Sequence, residues 1–221
     1  MVYENYKSNP KKFVDRLYNM GLSNQLGLSI KGEGMPMIPY PGDKNWSGIS
    51  LPWMAFGYGV KLTPLQILSF YNGIANGGEI VKPRFIYKIK NSGSSFIKKY
   101  EKEILNPSVC SNPTLVKVQK MMFNVIDKTW GTANKIKSSN LKMAGKTGTC
   151  QIDYTSDEIQ YVSSFVGYFP YEKPEYSCIV VINRPDKKIG YYGGEVAAPV
   201  FKEIAEKLFS RTPRDVIVKS S

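Results

Sequence analysis

The sequence predicts an α+β fold, an antiparallel sheet of at least three strands packed by helices. Two observations carry this. Three strand-like apolar runs, Leu141 to Gln151, Gln160 to Phe169 and Tyr176 to Asn183, follow one another through links too short for a crossover helix, and short links favour antiparallel pairing. Around them stand segments with apolar residues at helical spacing, the last of which must cover the sheet. With 221 residues, 42% of them hydrophobic, the chain can bury a sizeable core. Such a chain would normally form one domain, with room for a small subdomain.

In chain order, Asn9 is placed to cap a helix with Pro10 at its first position, a stripe of Phe13, Leu17 and Met20, and Gly21 as the stop. Leu22 to Val60, rich in Gly, Pro, Ser and Asn and carrying Trp46 and Trp53, reads as a long loop, and in a compact domain such a loop is usually functional. Thr63-Pro64-Leu65-Gln66 is a capping box opening a helix that points Ile67, Phe70, Tyr71 and Ile74 inward and stops at Gly77-Gly78. Phe85, Tyr87 and Ile89 alternate with Lys88 and Lys90 before a turn at Asn91-Ser92-Gly93, as in a hairpin. Asn112-Pro113 opens a helix with Leu115, Val118, Met122 and Val125 at helical spacing, and Met121-Met122 reads as core filler. After the three strands, the last helix aligns Val196, Val200, Ile204 and Leu208, and a polar tail, residues 210–221, follows the folded part at 1–209.

Composition narrows the chemistry. The net charge is +12, from 30 Lys+Arg against 18 Asp+Glu, which suits anionic partners such as lipid surface or wall polymer. The basic residues are spread along the chain and mostly lysine, without an Arg-rich groove motif or a recognition helix, so nucleic acid is not expected as a partner. There is no histidine, which excludes Ser-His-Asp and Cys-His catalysis within the chain. Cys110, Cys150 and Cys178 are widely spaced with no C-x-x-C pair, and Cys150 and Cys178 read as small buried hydrophobes. Neither metal nor cofactor is expected. No run is long enough to span a bilayer, and Met1 opens no signal-peptide pattern.

The segment Met143-Ala144-Gly145-Lys146-Thr147-Gly148-Thr149-Cys150-Gln151 concentrates the functional signal. A phosphate-binding loop needs a glycine five residues before Gly145, but Asn140 stands there and the following residues read as extended. A Lys-Thr-Gly triplet on a strand offers other chemistry. The lysine of Lys146-Thr147-Gly148 can meet a carboxylate, and the glycine lets another backbone approach the strand edge. This strand is therefore expected at a sheet edge, with its free side facing a groove.

Further blocks stand around the triplet. Phe56-Gly57-Tyr58-Gly59-Val60-Lys61-Leu62-Thr63-Pro64-Leu65-Gln66, Ile74-Ala75-Asn76-Gly77-Gly78, Gly131-Thr132-Ala133 and Tyr192-Gly193-Gly194-Glu195-Val196-Ala197-Ala198-Pro199-Val200-Phe201 resemble, in the same order, blocks of class B penicillin-binding proteins. These share a fold with serine β-lactamases and combine S-x-x-K, S-x-N and K-T-G motifs. The resemblance runs from about Asn9 to Phe209, and Phe56-Gly57-Tyr58-Gly59-Val60 is more similar to the division-type (septal) branch.

The resemblance implies a penicillin-binding serine D,D-transpeptidase acting in peptidoglycan cross-linking. Its partners would be peptidoglycan stem peptides, β-lactams and cell-division proteins, and its place the periplasmic face of the inner membrane, held by an upstream membrane helix. Lys146 and Thr149 would be catalytic, and Lys146, Thr147, Gly148 and Thr149 would bind substrate. In the family the S-x-x-K and S-x-N motifs precede the region matched by Asn9 to Gly21, so this chain is expected to correspond to the C-terminal part of the domain and to lack the nucleophile. Its own S-x-x-K strings, Ser8 to Lys11, Ser95 to Lys98 and Ser139 to Lys142, and its Ser138-Ser139-Asn140, fall in other contexts. The competing class of function is a non-catalytic, basic and aromatic-rich module that docks an envelope polymer or protein.

Overall fold

A computed structural model describes residues 1–91, 96–152 and 159–211. The chain divides into two compact units, Met1–Gln119 and Lys120–Ser221.

The first unit begins with α1 (Val2–Tyr6) and α2 (Lys11–Asn19). Pro10, rather than Asn9, occupies the cap position of α2 and makes no side-chain cap bond. Val14 is its fully buried residue, packing with Ile38 and Met54 while Phe13 and Leu17 flank that cluster. The chain then leaves through Gly21 at φ +84, a conformation that favours glycine. The segment read as a loop contains a short helix, α3 (Ser50–Met54), and a bridge between Met37 and Lys61. Its irregular backbone is pinned by long-range bonds: Tyr18 Oη donates to the Ile38 carbonyl at 2.9 Å, and Tyr40 Oη to Asp15 at 2.7 Å.

The capping box forms as predicted at the start of α4 (Pro64–Ala75). The buried face of α4, however, is Gln66, Ser69, Gly73 and Ile74, while Ile67, Phe70 and Tyr71 are half-buried. Gln66 is turned inward because its side chain both accepts from Thr63 N and donates to the Gly34 carbonyl. Gly73 lies under Ile80, whose Cγ1 would stand 2.8 Å from an added Cβ. β1 (Ile80–Val81) pairs with β4 (Ile104–Asn106), and β2 (Lys88–Lys90) with β3 (Phe96–Lys99), both antiparallel. Phe85 and Tyr87 precede the β2 strand rather than extending it, and the expected turn at Ser92-Gly93 lies outside the described residues.

α5 (Asn112–Asp127) starts in the first unit and ends in the second. Leu115, Met122 and Ile126 are buried, whereas Met121 is exposed and fills no core. The second unit holds the sheet of β5 (Ala144–Ile152), β6 (Gln160–Phe169) and β7 (Tyr176–Asn183), antiparallel in the order β5-β6-β7. β5 begins at Ala144, not Leu141, because the pairing with β6 starts at Ala144 opposite Tyr168. α6 (Gly193–Val196) and α7 (Ala198–Arg211) follow, so the helix runs through Ser210 into the stretch read as a tail.

The face α7 buries is rotated from the predicted one. Ala198, Phe201 and Ala205 are buried, while Val200 and Leu208 are exposed. The break between α6 and α7 resets the helical phase, and the small alanines let Phe201 reach Phe165 and Phe169, at ring separations of 4.8 and 5.7 Å. These residues join Ile126, Ala133, Ile136, Leu141 and Met143 in the core of the unit.

Candidate active site

β5 is an edge strand: it pairs with β6 on one side and has no strand partner on the other among the described residues. Its register sets the faces. Thr147 stands opposite Phe165 and Thr149 opposite Ser163, so both threonines share the sheet face covered by α6 and α7. Lys146 opposite Val166 and Gly148 opposite Ser164 share the other face.

Each functional group has a definite setting. Lys146 Nζ donates to the Thr147 carbonyl at 2.7 Å, and no carboxylate pairs with it among the described residues. The residue as a whole is exposed, yet partial burial pushes the pKa of its ammonium below the ordinary lysine value. Thr149 Oγ1 accepts the Gly193 N–H at 3.0 Å. That bond uses a lone pair and leaves the hydroxyl proton free to be donated elsewhere. Thr147 Oγ1 lies 3.1 Å from Thr132 Oγ1.

The loop presenting Thr132 is shaped by close backbone contact. A Cβ on Gly131 would stand 2.3 Å from the Val125 carbonyl oxygen, and Ala133 N–H donates to the same oxygen at 3.0 Å. Thus Gly131 allows the chain to fold back on the last turn of α5, and Ala133 fastens it there. Gly193 is equally constrained, with Ser164 O and Gly148 O at 2.3 and 2.4 Å from an added Cβ.

A family model for the penicillin binding protein transpeptidase domain matches residues 1–206. The chain belongs to that family. Among similar proteins are the peptidoglycan D,D-transpeptidase FtsI of Buchnera aphidicola, 31% identical over 193 residues (86% of this chain, 31% of the relative), and that of Escherichia coli, 29% over 195 residues (86% and 30%). Among solved structures, penicillin binding protein 3 from Mycobacterium tuberculosis complexed with ampicillin superposes with a TM-score of 0.75 at 27% identity, covering 92% of this chain and 46% of that one. The chain thus spans about a third of the length of these curated relatives.

Within this penicillin-binding transpeptidase fold, the four predicted residues Lys146, Thr147, Gly148 and Thr149 lie together on one edge strand. Sequence reasoning did not single out Thr132 and Gly193, which bond Thr147 and Thr149, although both fall in blocks that carried the family resemblance. The available signal was the presence of glycines, Gly131 and Gly193, whose backbones must touch other backbones. Cys150 is exposed, not buried as expected, because it follows Lys146 and Gly148 on the strand face away from α6 and α7.

The other motif strings have different local settings. Ser8 is exposed in the turn before α2. Ser139 bonds Asn140 in an exposed loop, Ser138 Oγ donates to Glu206 at 2.7 Å, and Lys142 is engaged by Glu172 at 2.6 Å. Ser95 lies outside the described residues.

Proposed function

We propose that this chain is the K-T-G-bearing part of a division-type D,D-transpeptidase that cross-links peptidoglycan stem peptides. One observation carries the reading. Lys146 lies on one face of β5 and the two threonines on the other. A ligand touching all three must lie along the free edge of the strand, where an extended peptide adds as a further strand. Lys146, unpaired with any carboxylate among the described residues, supplies the charge for a substrate C-terminal carboxylate. Thr147 and the free proton of Thr149 hold that carboxylate, and the Thr149 N–H donates to the oxyanion.

The nucleophile is a serine on an S-x-x-K segment outside these 221 residues. Its oxygen bonds to the carbonyl carbon of the penultimate D-alanine, the C–N bond breaks, and D-alanine leaves with a proton. An amine of a second stem peptide then displaces the serine oxygen from the acyl-enzyme. β-Lactams acylate the same serine. The parent protein acts at the periplasmic face of the inner membrane alongside cell-division proteins.

In the protein that carries the S-x-x-K segment, Lys146→Ala removes a charge-assisted contact worth about 1.5–3 kcal/mol. Acylation by a fluorescent penicillin should therefore slow by at least roughly ten-fold, at about 1.36 kcal/mol per decade. An unchanged acylation rate would refute the role given to Lys146.

A further inference from the structure

The hairpin of β2 and β3 stands outside both cores. All three residues of β2 are exposed, although alternation points Ile89 to one face and Lys88 and Lys90 to the other. Neither face is therefore covered. Ile97 on β3 and Phe85, Ile86 and Tyr87 ahead of β2 are exposed as well, with Phe85 at 54% and the least exposed of these apolar side chains, Ile89, at 39%. An isolated two-stranded hairpin with bare apolar groups is marginal in water, and five exposed apolar side chains, Phe85, Ile86, Tyr87, Ile89 and Ile97, gathered in so short a segment mark a contact surface.

The charge around this patch has one sign. From Lys82 to Glu103 the sequence holds seven basic residues against two acidic ones. Glu103 pairs with Lys82, Glu101 with Lys99, and Glu79 with Lys102. Arg84, Lys88, Lys90 and Lys98 have no carboxylate partner among the described residues. Arg84, Lys88 and Lys99 gather around the Tyr87 ring at 5.0, 5.9 and 6.0 Å from its centroid, and Lys98 lies 4.6 Å from that of Tyr100.

We infer that this hairpin is a docking surface for an anionic phospholipid layer. Unpaired cations meet the head groups while the isoleucines, Phe85 and the amphipathic Tyr87 enter the boundary between head groups and acyl chains. Two features favour lipid over other anionic partners. A hydrated polyanion gains nothing from the exposed apolar side chains. A folded acidic protein offers a surface to one face of a ribbon, whereas a fluid interface surrounds both faces, and both are bare here.

The test uses the 221-residue chain and co-sedimentation with phosphatidylcholine vesicles, with and without phosphatidylglycerol. The expected result is binding only to the phosphatidylglycerol vesicles. Lys88→Gln, Lys90→Gln and Lys98→Gln together should weaken it by at least about ten-fold, since each lysine near an anionic surface contributes appreciably. Ile89→Ser with Ile97→Ser, which leaves charge untouched, should weaken it by a similar factor. Lys12→Gln, Lys117→Gln and Lys120→Gln, the same change of charge at exposed positions elsewhere, should weaken it by less than half as much on a logarithmic scale.

As a check independent of binding losses, the indole introduced by Tyr87→Trp should be quenched by brominated lipid beyond the parent signal. Equal losses from both lysine sets would overturn the proposal in favour of diffuse charge. So would indifference to the isoleucines, which would mean a purely electrostatic polyanion surface. Binding to soluble polyglutamate without binding to vesicles, or an unquenched indole, would overturn it as well.

Discussion

Gly193 shows how much a single missing side chain decides. An alanine there would place its Cβ 2.3 Å from Ser164 O and 2.4 Å from Gly148 O. Both are backbone atoms of paired strands and cannot rotate aside, so α6 would have to lift from the sheet. The Gly193 N–H to Thr149 Oγ1 bond would lengthen with it. Gly193→Ala should cost about 1–3 kcal/mol, the usual range for overpacking. Gly48→Ala, where nothing lies within 4 Å of the added carbon, should stay within about 0.5 kcal/mol of the parent. Urea midpoints compare the two, and equal midpoints would refute the clash.

Lys146 supplies a second test at this scale. Burial lowers its pKa by disfavouring the charged form. As pH rises, Lys146 should thus lose its proton before exposed lysines do, and any carboxylate bound to it should be released in that same window. The sign for folding follows: the unfolded chain holds the proton longer, so this group favours the folded state increasingly as pH climbs from its lowered pKa toward the ordinary lysine value. A ¹³Cε titration, with the resonance assigned by Lys146→Arg, reads the pKa directly. Titration together with the bulk of the lysines would contradict it.

At the scale of elements, what could be read from sequence was what neighbours in sequence determine. The Thr63–Gln66 capping box was legible because both of its bonds span three residues. The three strands and their antiparallel order were legible because short links leave few alternatives. The buried faces of α4 and α7 were not, since the Gln66 bond to the Gly34 carbonyl and the alanine-lined approach of Phe201 to the sheet are tertiary events. The same holds for the site: the K-T-G-T strand is local, whereas Thr132 meets Thr147 across 15 residues and Gly193 meets Thr149 across 44. Phe201, fully buried against Phe165 and Phe169, fastens α7 to the sheet. Phe201→Ala should cost about 3–5 kcal/mol in thermal or urea unfolding, and Val200→Ala, on the exposed side of α7, under about 1 kcal/mol. Equal costs would restore the face first read from the periodicity.

For the molecule as a whole, the edge strand by itself is not expected to supply the reaction. Covalent catalysis needs a serine within hydrogen-bond reach of a base that can take its proton. Without histidine, the base that an S-x-x-K motif offers is its own lysine, held neutral by desolvation or neighbouring cations. Lys142, the lysine of one S-x-x-K string, is in the opposite state, because its hydrogen bond to Glu172 raises its pKa and keeps it charged. Lys11, the lysine of another, lies over the Tyr40 ring at 5.4 Å, and its Ser8 is exposed. Burial lowers the pKa of Lys146, but its ammonium is bonded to the Thr147 carbonyl, not to a serine. The 221-residue chain on its own is therefore expected to form no covalent adduct with a fluorescent penicillin, while the protein bearing the S-x-x-K segment labels stoichiometrically. Intact mass measured after incubation decides this. An adduct on the isolated chain would refute the assignment of the nucleophile to another segment, and peptide mapping to Ser8 or Ser139 would identify the serine that replaces it.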